Sequence, residues 1–218
     1  MDFLSSLVQE AITILYNISA SFGFANYGFA IILLTVIVKM ATYPLTKKQI
    51  QSMKAMQRLQ PKMKAIQEKY KGDKMKANEA LAQLYKSEGV NPLAGCLPLL
   101  IQMPILIGIF YGIRDFQYAG SPLFMGLDIS RSLSEFMSAG GPDMYAYAVL
   151  PVLSALTTFL QSKMTMPDTS TTQNQVMLYG MPLFIGYISI TTGLVLYWVV
   201  MNIMQIGQQL FMERGQKK

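Results

Sequence analysis

Histidine is absent from the chain, and cysteine occurs once, at Cys96. The first absence removes the usual general base and the commonest metal ligand, and with them His-based triads. The second excludes an internal disulfide and Cys/His zinc sites. Ser-Lys chemistry and all-carboxylate sites survive this counting. A GxxxxGK[ST] phosphate loop is also missing, so nucleotide hydrolysis is not expected. The chain is read as not an enzyme, with no metal and no cofactor. Charge is scarce as well. Only 14% of the 218 residues are charged and 52% are hydrophobic, against about 25% and about 45 to 50% in a soluble domain.

The charges are scarce because they are segregated. Four runs carry none: 11–38, 89–113, 144–162 and 169–212. A bilayer core needs about 20 apolar residues per helix, and the last run, 44 residues long, is enough for two passes. Thr191-Thr192-Gly193 is the obvious turn between them. The first run divides, because Phe3, Leu4, Leu7, Val8, Ala11, Ile12, Leu15, Ile18 and Phe22 fall on one side of a helix. Asp2, Ser5, Ser6, Gln9, Glu10, Thr13 and Asn17 take the other. Such a helix prefers the interface, and Gly23 with Asn26-Tyr27-Gly28 breaks it. A signal peptide is the rival reading, but the first 38 residues offer no Lys or Arg for a basic n-region.

The expected fold is thus all-α: an external amphipathic helix (1–24), five spans (25–45, 91–113, 144–163, 175–190, 193–212) and a cytoplasmic helical hairpin (46–90). An external loop (114–143), a cytoplasmic loop (164–174) and a tail (213–218) complete a single domain. Residues 45–91 carry eleven Lys or Arg and four acids, whereas residues 1–27 carry two acids and no base. Basic residues concentrate in cytoplasmic loops, which puts the N terminus outside and the C terminus inside. The same segregation explains the net charge of +6 without any role for DNA. The fourth span is short, about 22 Å for 15 residues against about 30 Å of hydrocarbon, and would thin the bilayer locally.

In the hairpin, Thr46-Lys47-Lys48-Gln49 matches a capping box, and Ile50, Met53, Met63, Ile66 and Tyr70 follow at helical spacing. Pro61 predicts a kink or break. This helix should end near Gly72, after which Asp73 caps a second carrying Met75, Leu81, Leu84 and Tyr85, stopped by Gly89 and Asn91-Pro92. Lys47, Lys48, Lys54, Arg58, Lys62 and Lys64 either only enforce topology or form a docking surface for anionic partners such as ribosomal RNA or acidic lipid headgroups.

Lys39 is the charge out of place. It sits about 16 Å along the first span, where an ammonium costs about 2.5 to 3.5 kcal/mol and is expected to face a bundle interior or a wet cavity. Thr35, Thr42 or Tyr43, and Thr46 share its face. No Asp or Glu lies in any span, so an intramembrane acidic partner is excluded. Snorkelling to the cytoplasmic headgroups is the bland alternative, since Leu45 is only about 9 Å further on. The sharper reading is a hydrated pocket open to the cytoplasm. Candidate polar neighbours are Gln102, Gln161, Tyr197 and Trp198; alternatively, Gln102 serves backbone carbonyls freed by Pro98 and Pro104, and Gln161 and Trp198 are interfacial anchors.

Four stretches make the chain resemble a known family, the YidC membrane protein insertases and their organelle relatives. They are Ile37-Val38-Lys39-Met40 with Tyr43-Pro44-Leu45-Thr46-Lys47; Met56 to Pro61 (MQRLQP) with Lys62; Tyr85 to Pro104 (YKSEGVNPLAGCLPLLIQMP); and Gly193-Leu194-Val195-Leu196-Tyr197-Trp198. The resemblance implies a five-helix core, an external amphipathic helix, a cytoplasmic hairpin and a hydrophilic groove open to lipid and cytoplasm. Lys39 stands where the family has a groove arginine. Thr35 and Tyr197 match positions lining the substrate path, and Trp198 a groove aromatic. The chain looks like a short form without the large extracytoplasmic domain of many bacterial members. The implied partners are nascent membrane proteins and membrane lipids, with ribosome, signal recognition particle receptor and Sec translocon as further ones. The implied location is the bacterial inner membrane. The alternatives are a small-anion or solute transporter using Lys39, for which no internal repeat is seen, and a structural assembly factor.

Overall fold

The computed structural model describes residues 2–23, 25–91, 97–132, 135, 138, 144–165, 175–180 and 191–215. The chain forms two compact units, Met1–Ala41 with Pro104–Lys218, and Thr42–Met103.

The larger unit holds α1 (Asp2–Ser21), α2 (Tyr27–Ala41), residues 104–114 of α5 (Leu97–Arg114), α6 (Met144–Thr165) and α7 (Thr192–Gly215). α7 packs against α6 and α2, and α1 against α2. Asn26 starts α2 in two ways. Its Oδ1 accepts from the Phe29 N–H, an N-cap bond, and its Nδ2 donates to the Leu123 carbonyl of a short ribbon. That ribbon, β1 (Leu123–Phe124) with β2 (Leu127–Asp128), is an antiparallel pair in a mostly helical structure. Its two turn residues, Met125 and Gly126, both have positive φ, 52° and 83°. This is the backbone a two-residue hairpin demands. Gly28 lets the ribbon close on α2, since a Cβ there would lie 2.3 Å from the Phe124 ring.

One apolar core gathers Ile12 of α1, Ala30, Ile31 and Leu34 of α2, Ile109 and Ile113 of α5, Ile129, and Leu194 and Tyr197 of α7. The Tyr27 ring stacks on Tyr16 at 4.0 Å and meets Phe116 and Tyr118 edge-on, tying α1, α2 and the loop together. Burial pushes the Tyr118 phenol up from its ordinary value. The expected break at Thr191-Thr192-Gly193 is the start of α7. There Thr192 N–H and Oγ1 both donate to the Arg131 carbonyl, and Gly193 N–H donates to Ile129.

α1 sorts its residues three ways where two faces were expected. Val8, Ile12 and Ser19 are buried, Phe3, Leu7, Ile14, Ile18 and Phe22 are exposed, and Ser6, Glu10, Thr13 and Asn17 are exposed on a polar edge. Glycines make the buried contact possible. A Cβ at Gly112 would lie 2.5 Å from Val8 Cγ1, and one at Gly108 would lie 3.0 Å from Leu4 Cβ.

The smaller unit is a helical hairpin of α3 (Tyr43–Lys69) and α4 (Lys74–Ser87). Three expectations need correction. The α3 helix begins at Tyr43, not at a capping box on Thr46, whose hydroxyl instead donates back to the Thr42 carbonyl within the helix. Pro44 explains the earlier start, because the first turn has no use for its missing N–H and its φ is preset. Pro61 does not break α3, which runs through it to Lys69. Met75, placed on the packing stripe, is 83% exposed. The contact between the helices falls instead to Tyr85, whose hydroxyl donates to the Met63 sulfur at 3.6 Å and whose phenol burial pushes upward. Asp73 does cap α4, accepting from Lys76 N–H at 3.1 Å, and Gly89 closes it with φ of 64°.

Of the expected fourth span only a π-helical turn, Val176–Gly180, is among the described residues. Residues 181–190, on which the short-span reading depends, lie outside them, as do residues 92–96.

Candidate functional site

The interior of the larger unit has a polar side. Along α7, Trp198, Asn202, Gln205 and Gln209 recur every three or four residues, forming one stripe. Three of them turn toward α6. Trp198 Nε1 donates to Thr158 Oγ1 at 3.1 Å. Asn202 Nδ2 donates to the same oxygen at 2.8 Å and to Thr157 Oγ1 at 3.2 Å. Gln209 Nε2 donates to the Met164 carbonyl at 3.1 Å. The fourth turns toward α2, where Gln205 Oε1 accepts from Lys39 Nζ at 2.7 Å.

Lys39 is 7% exposed, and Thr35, one turn before it, 1%. They share a face of α2, as their spacing implied. The Thr35 hydroxyl donates to the Ile31 carbonyl of its own helix, which satisfies it locally. The Lys39 ammonium thus meets a neutral amide oxygen, Gln205 Oε1, a partner not among the four neighbours expected for it. Tyr197 is buried in the apolar core with Ile31 and Leu194. Trp198 is half-buried and bound to Thr158. Gln161 is half-buried on α6, its carbonyl accepting from Thr165 Oγ1. Gln102 belongs to α5, but its side chain lies outside the described residues.

Gln205, Asn202, Gln209 and the Thr157-Thr158 pair were missed in the sequence. Their signal was legible: the 198, 202, 205, 209 recurrence of polar residues in a run without charge. In the hairpin, Lys47, Lys48, Arg58, Lys62 and Lys64 are exposed and Lys54 is half-buried. Lys62 is ion-paired with Glu88 of the same unit. Lys47, Lys54, Arg58 and Lys62 lie along one stripe of α3 by helical spacing.

Outside, the polarity is reversed. Val149, Val152, Leu153, Leu156 and Leu160 expose one face of α6, while Ile37 and Met40 of α2 and Ile203 and Phe211 of α7 are also exposed. Ser154, Thr157 and Thr158 of α6, by contrast, are buried. Among the described residues one helix, Thr192–Met212, is by itself long and apolar enough to cross a bilayer. Helices that hide amides, hydroxyls and a cation between them and turn Leu, Val and Ile outward define the class: a helical membrane protein whose interior is partly polar.

The family follows from comparison with known proteins. The profile described as 60Kd inner membrane protein matches residues 18–218, and the chain belongs to that family, the family of the YidC insertases. It is 37% identical over 217 residues to the membrane protein insertase YidC of Syntrophus aciditrophicus, covering 98% of this chain and 38% of that protein. It is 37% identical to the inner membrane protein ALBINO3 of Arabidopsis thaliana chloroplasts, covering 97% of this chain and 52% of that one. The crystal structure of an active YidC insertase superposes with a TM-score of 0.66 at 29% identity, covering 93% of this chain and 45% of that chain. The chain thus spans about half the length, or less, of the relatives it matches.

Proposed function

We propose that the protein is a membrane protein insertase, moving nascent apolar segments into the bilayer without nucleotide hydrolysis and without enzymatic chemistry. Five spans, the N terminus outside and the C terminus in the cytoplasm complete the reading. The names of its relatives support it. The observation that carries it is the Lys39 cation, buried among helices whose outer faces are apolar and donating to a neutral amide. A polar groove between α2, α6 and α7, lined by Lys39, Thr35, Tyr197 and Trp198 with Gln161, gives the hydrophilic part of a substrate a path across lipid. The cation attracts acidic residues in that part. The driving force is the substrate's own, about 25 cal/mol for each Å² of apolar surface leaving water.

The basic face of the hairpin, Lys47, Lys48, Lys54, Arg58, Lys62 and Lys64, is the docking surface for anionic partners: lipid headgroups, the ribosome, or the signal recognition particle receptor and Sec translocon. The experiment is insertion of an acidic-headed single-span substrate by Lys39→Ala and Lys39→Arg proteins. Arginine is expected to retain activity and alanine to lose it. Full activity of Lys39→Ala removes the charge from the mechanism. Photo-crosslinking from Thr35 or Tyr197 separates insertion from solute transport, since only an insertase captures a nascent apolar segment.

A further inference from the structure

The partner of Lys39 has a chemistry that the proposed insertion does not by itself require. A buried ammonium needs acceptors, and the obvious one is a carboxylate. The structure supplies an amide oxygen, Gln205 Oε1, at 2.7 Å. An amide satisfies an N–H of the ammonium and leaves its full positive charge in place. A carboxylate at the same position would also satisfy it but would offset the charge. Placement on α7 sharpens the contrast. Trp198, Asn202 and Gln209 of the same stripe bind α6, and Gln205 is the member whose bond crosses to α2. No Asp or Glu occurs in 144–167 or 169–212, so a carboxylate at 205 would be the first acid in these two stretches to face the cation.

We propose that Gln205 is a displaceable partner that holds Lys39 in the resting protein and yields it to a carboxylate of an incoming chain, its neutrality preserving the positive charge through which Lys39 favours acidic over neutral polar segments. Exchange of a neutral acceptor for a charged one is favourable, because a carboxylate adds to the hydrogen bond a charge–charge attraction that the amide dipole lacks, and this is strong where water is scarce. The same exchange offered a neutral Asn or Ser head gains nothing. Gln205 is a positioning residue in this scheme, acting through Lys39. The inference rests on the insertase reading above.

The test uses the full chain in proteoliposomes and two single-span substrates that differ only in Asp or Asn residues in the translocated head. The wild-type protein is expected to insert the Asp form faster. Gln205→Glu should lower insertion of the Asp form about tenfold, the loss of one charge-assisted bond, and leave the Asn form unchanged. Gln205→Leu, which adds no charge, should keep the Asp preference. If Gln205→Glu keeps it too, or Gln205→Leu loses it as Gln205→Glu does, Gln205 is only structural and the proposal is overturned. If Gln205→Glu fails to reconstitute, the exchange Lys39→Gln with Gln205→Lys moves the cation onto α7. The proposal then requires the preference to persist, and its loss overturns it. Loss of the preference in Lys39→Ala is the control for the parent reading. An intact preference there defeats that reading, separately from any result at 205.

Discussion

Replacing Asn202 by alanine tests how the α6–α7 contact is held. The side chain is 2% exposed and donates two bonds, to Thr157 and Thr158. In a dry medium an orphaned polar group costs several kcal/mol, but the substitution orphans none. Thr158 Oγ1 still accepts from Trp198, and Thr157 Oγ1 still donates to the Leu153 carbonyl at 2.8 Å. What is lost is two interhelical bonds at about 0.6 kcal/mol each in a membrane protein, and so about 1 kcal/mol. A small void raises the expected loss to about 2 kcal/mol. The assay is equilibrium unfolding in mixed detergent and SDS micelles. Trp198 is the one tryptophan of the chain and sits on the shared acceptor, so its fluorescence reports from the contact itself. A double-mutant cycle with Thr158→Val should give a coupling of about 0.6 kcal/mol. No measurable coupling together with unshifted emission refutes the bond. A loss above about 4 kcal/mol shows instead that removing Asn202 strands a group in dry surroundings.

Three further outcomes are expected. Gly112→Ala should destabilise the α1–α5 contact by about 1 to 3 kcal/mol, because its Cβ would lie 2.5 Å from Val8 Cγ1. Val8→Ala removes Cγ1 but keeps Cβ, 2.7 Å from the same point, so a double-mutant cycle in the same unfolding assay should show coupling between the two sites, and no coupling places the strain elsewhere. Asp73→Ala should reduce amide protection at the start of α4, measured by hydrogen exchange. Bonds from Lys76 hold the Asp73 carboxyl below its ordinary value, so its contribution is present above the unfolded value and fades as pH falls through the lowered one. Protection that does not fall toward low pH would contradict the cap. Met125→Asn should stabilise the ribbon by about 1 kcal/mol, because asparagine tolerates φ near 52° better than methionine. An unchanged or lowered unfolding midpoint would argue against strain at that turn.

Much of this protein was determined by its sequence alone, for physical reasons that act locally. Charge-free runs, the Asn26 and Gly23 breaks, the Asp73 cap and the Gly89 stop each depend on a few neighbouring residues, and the helices begin and end near them. Burial of Thr35 and Lys39 on one face of α2 followed from their spacing of four. The Met125-Gly126 ribbon and the passage of α3 through Pro61 were not legible in this way. Both depend on competition between a local preference and its surroundings: Asn26 and Phe124 hold the ribbon against α2, and the remaining bonds of a long helix outlast one proline. The partner of Lys39 was beyond the sequence entirely. Helical periodicity says which residues share a face, but which face of α7 meets α2 depends on how Ile31, Leu34, Leu194 and Tyr197 pack together. That packing brings Gln205, 166 positions along the chain, within hydrogen-bonding reach of the ammonium.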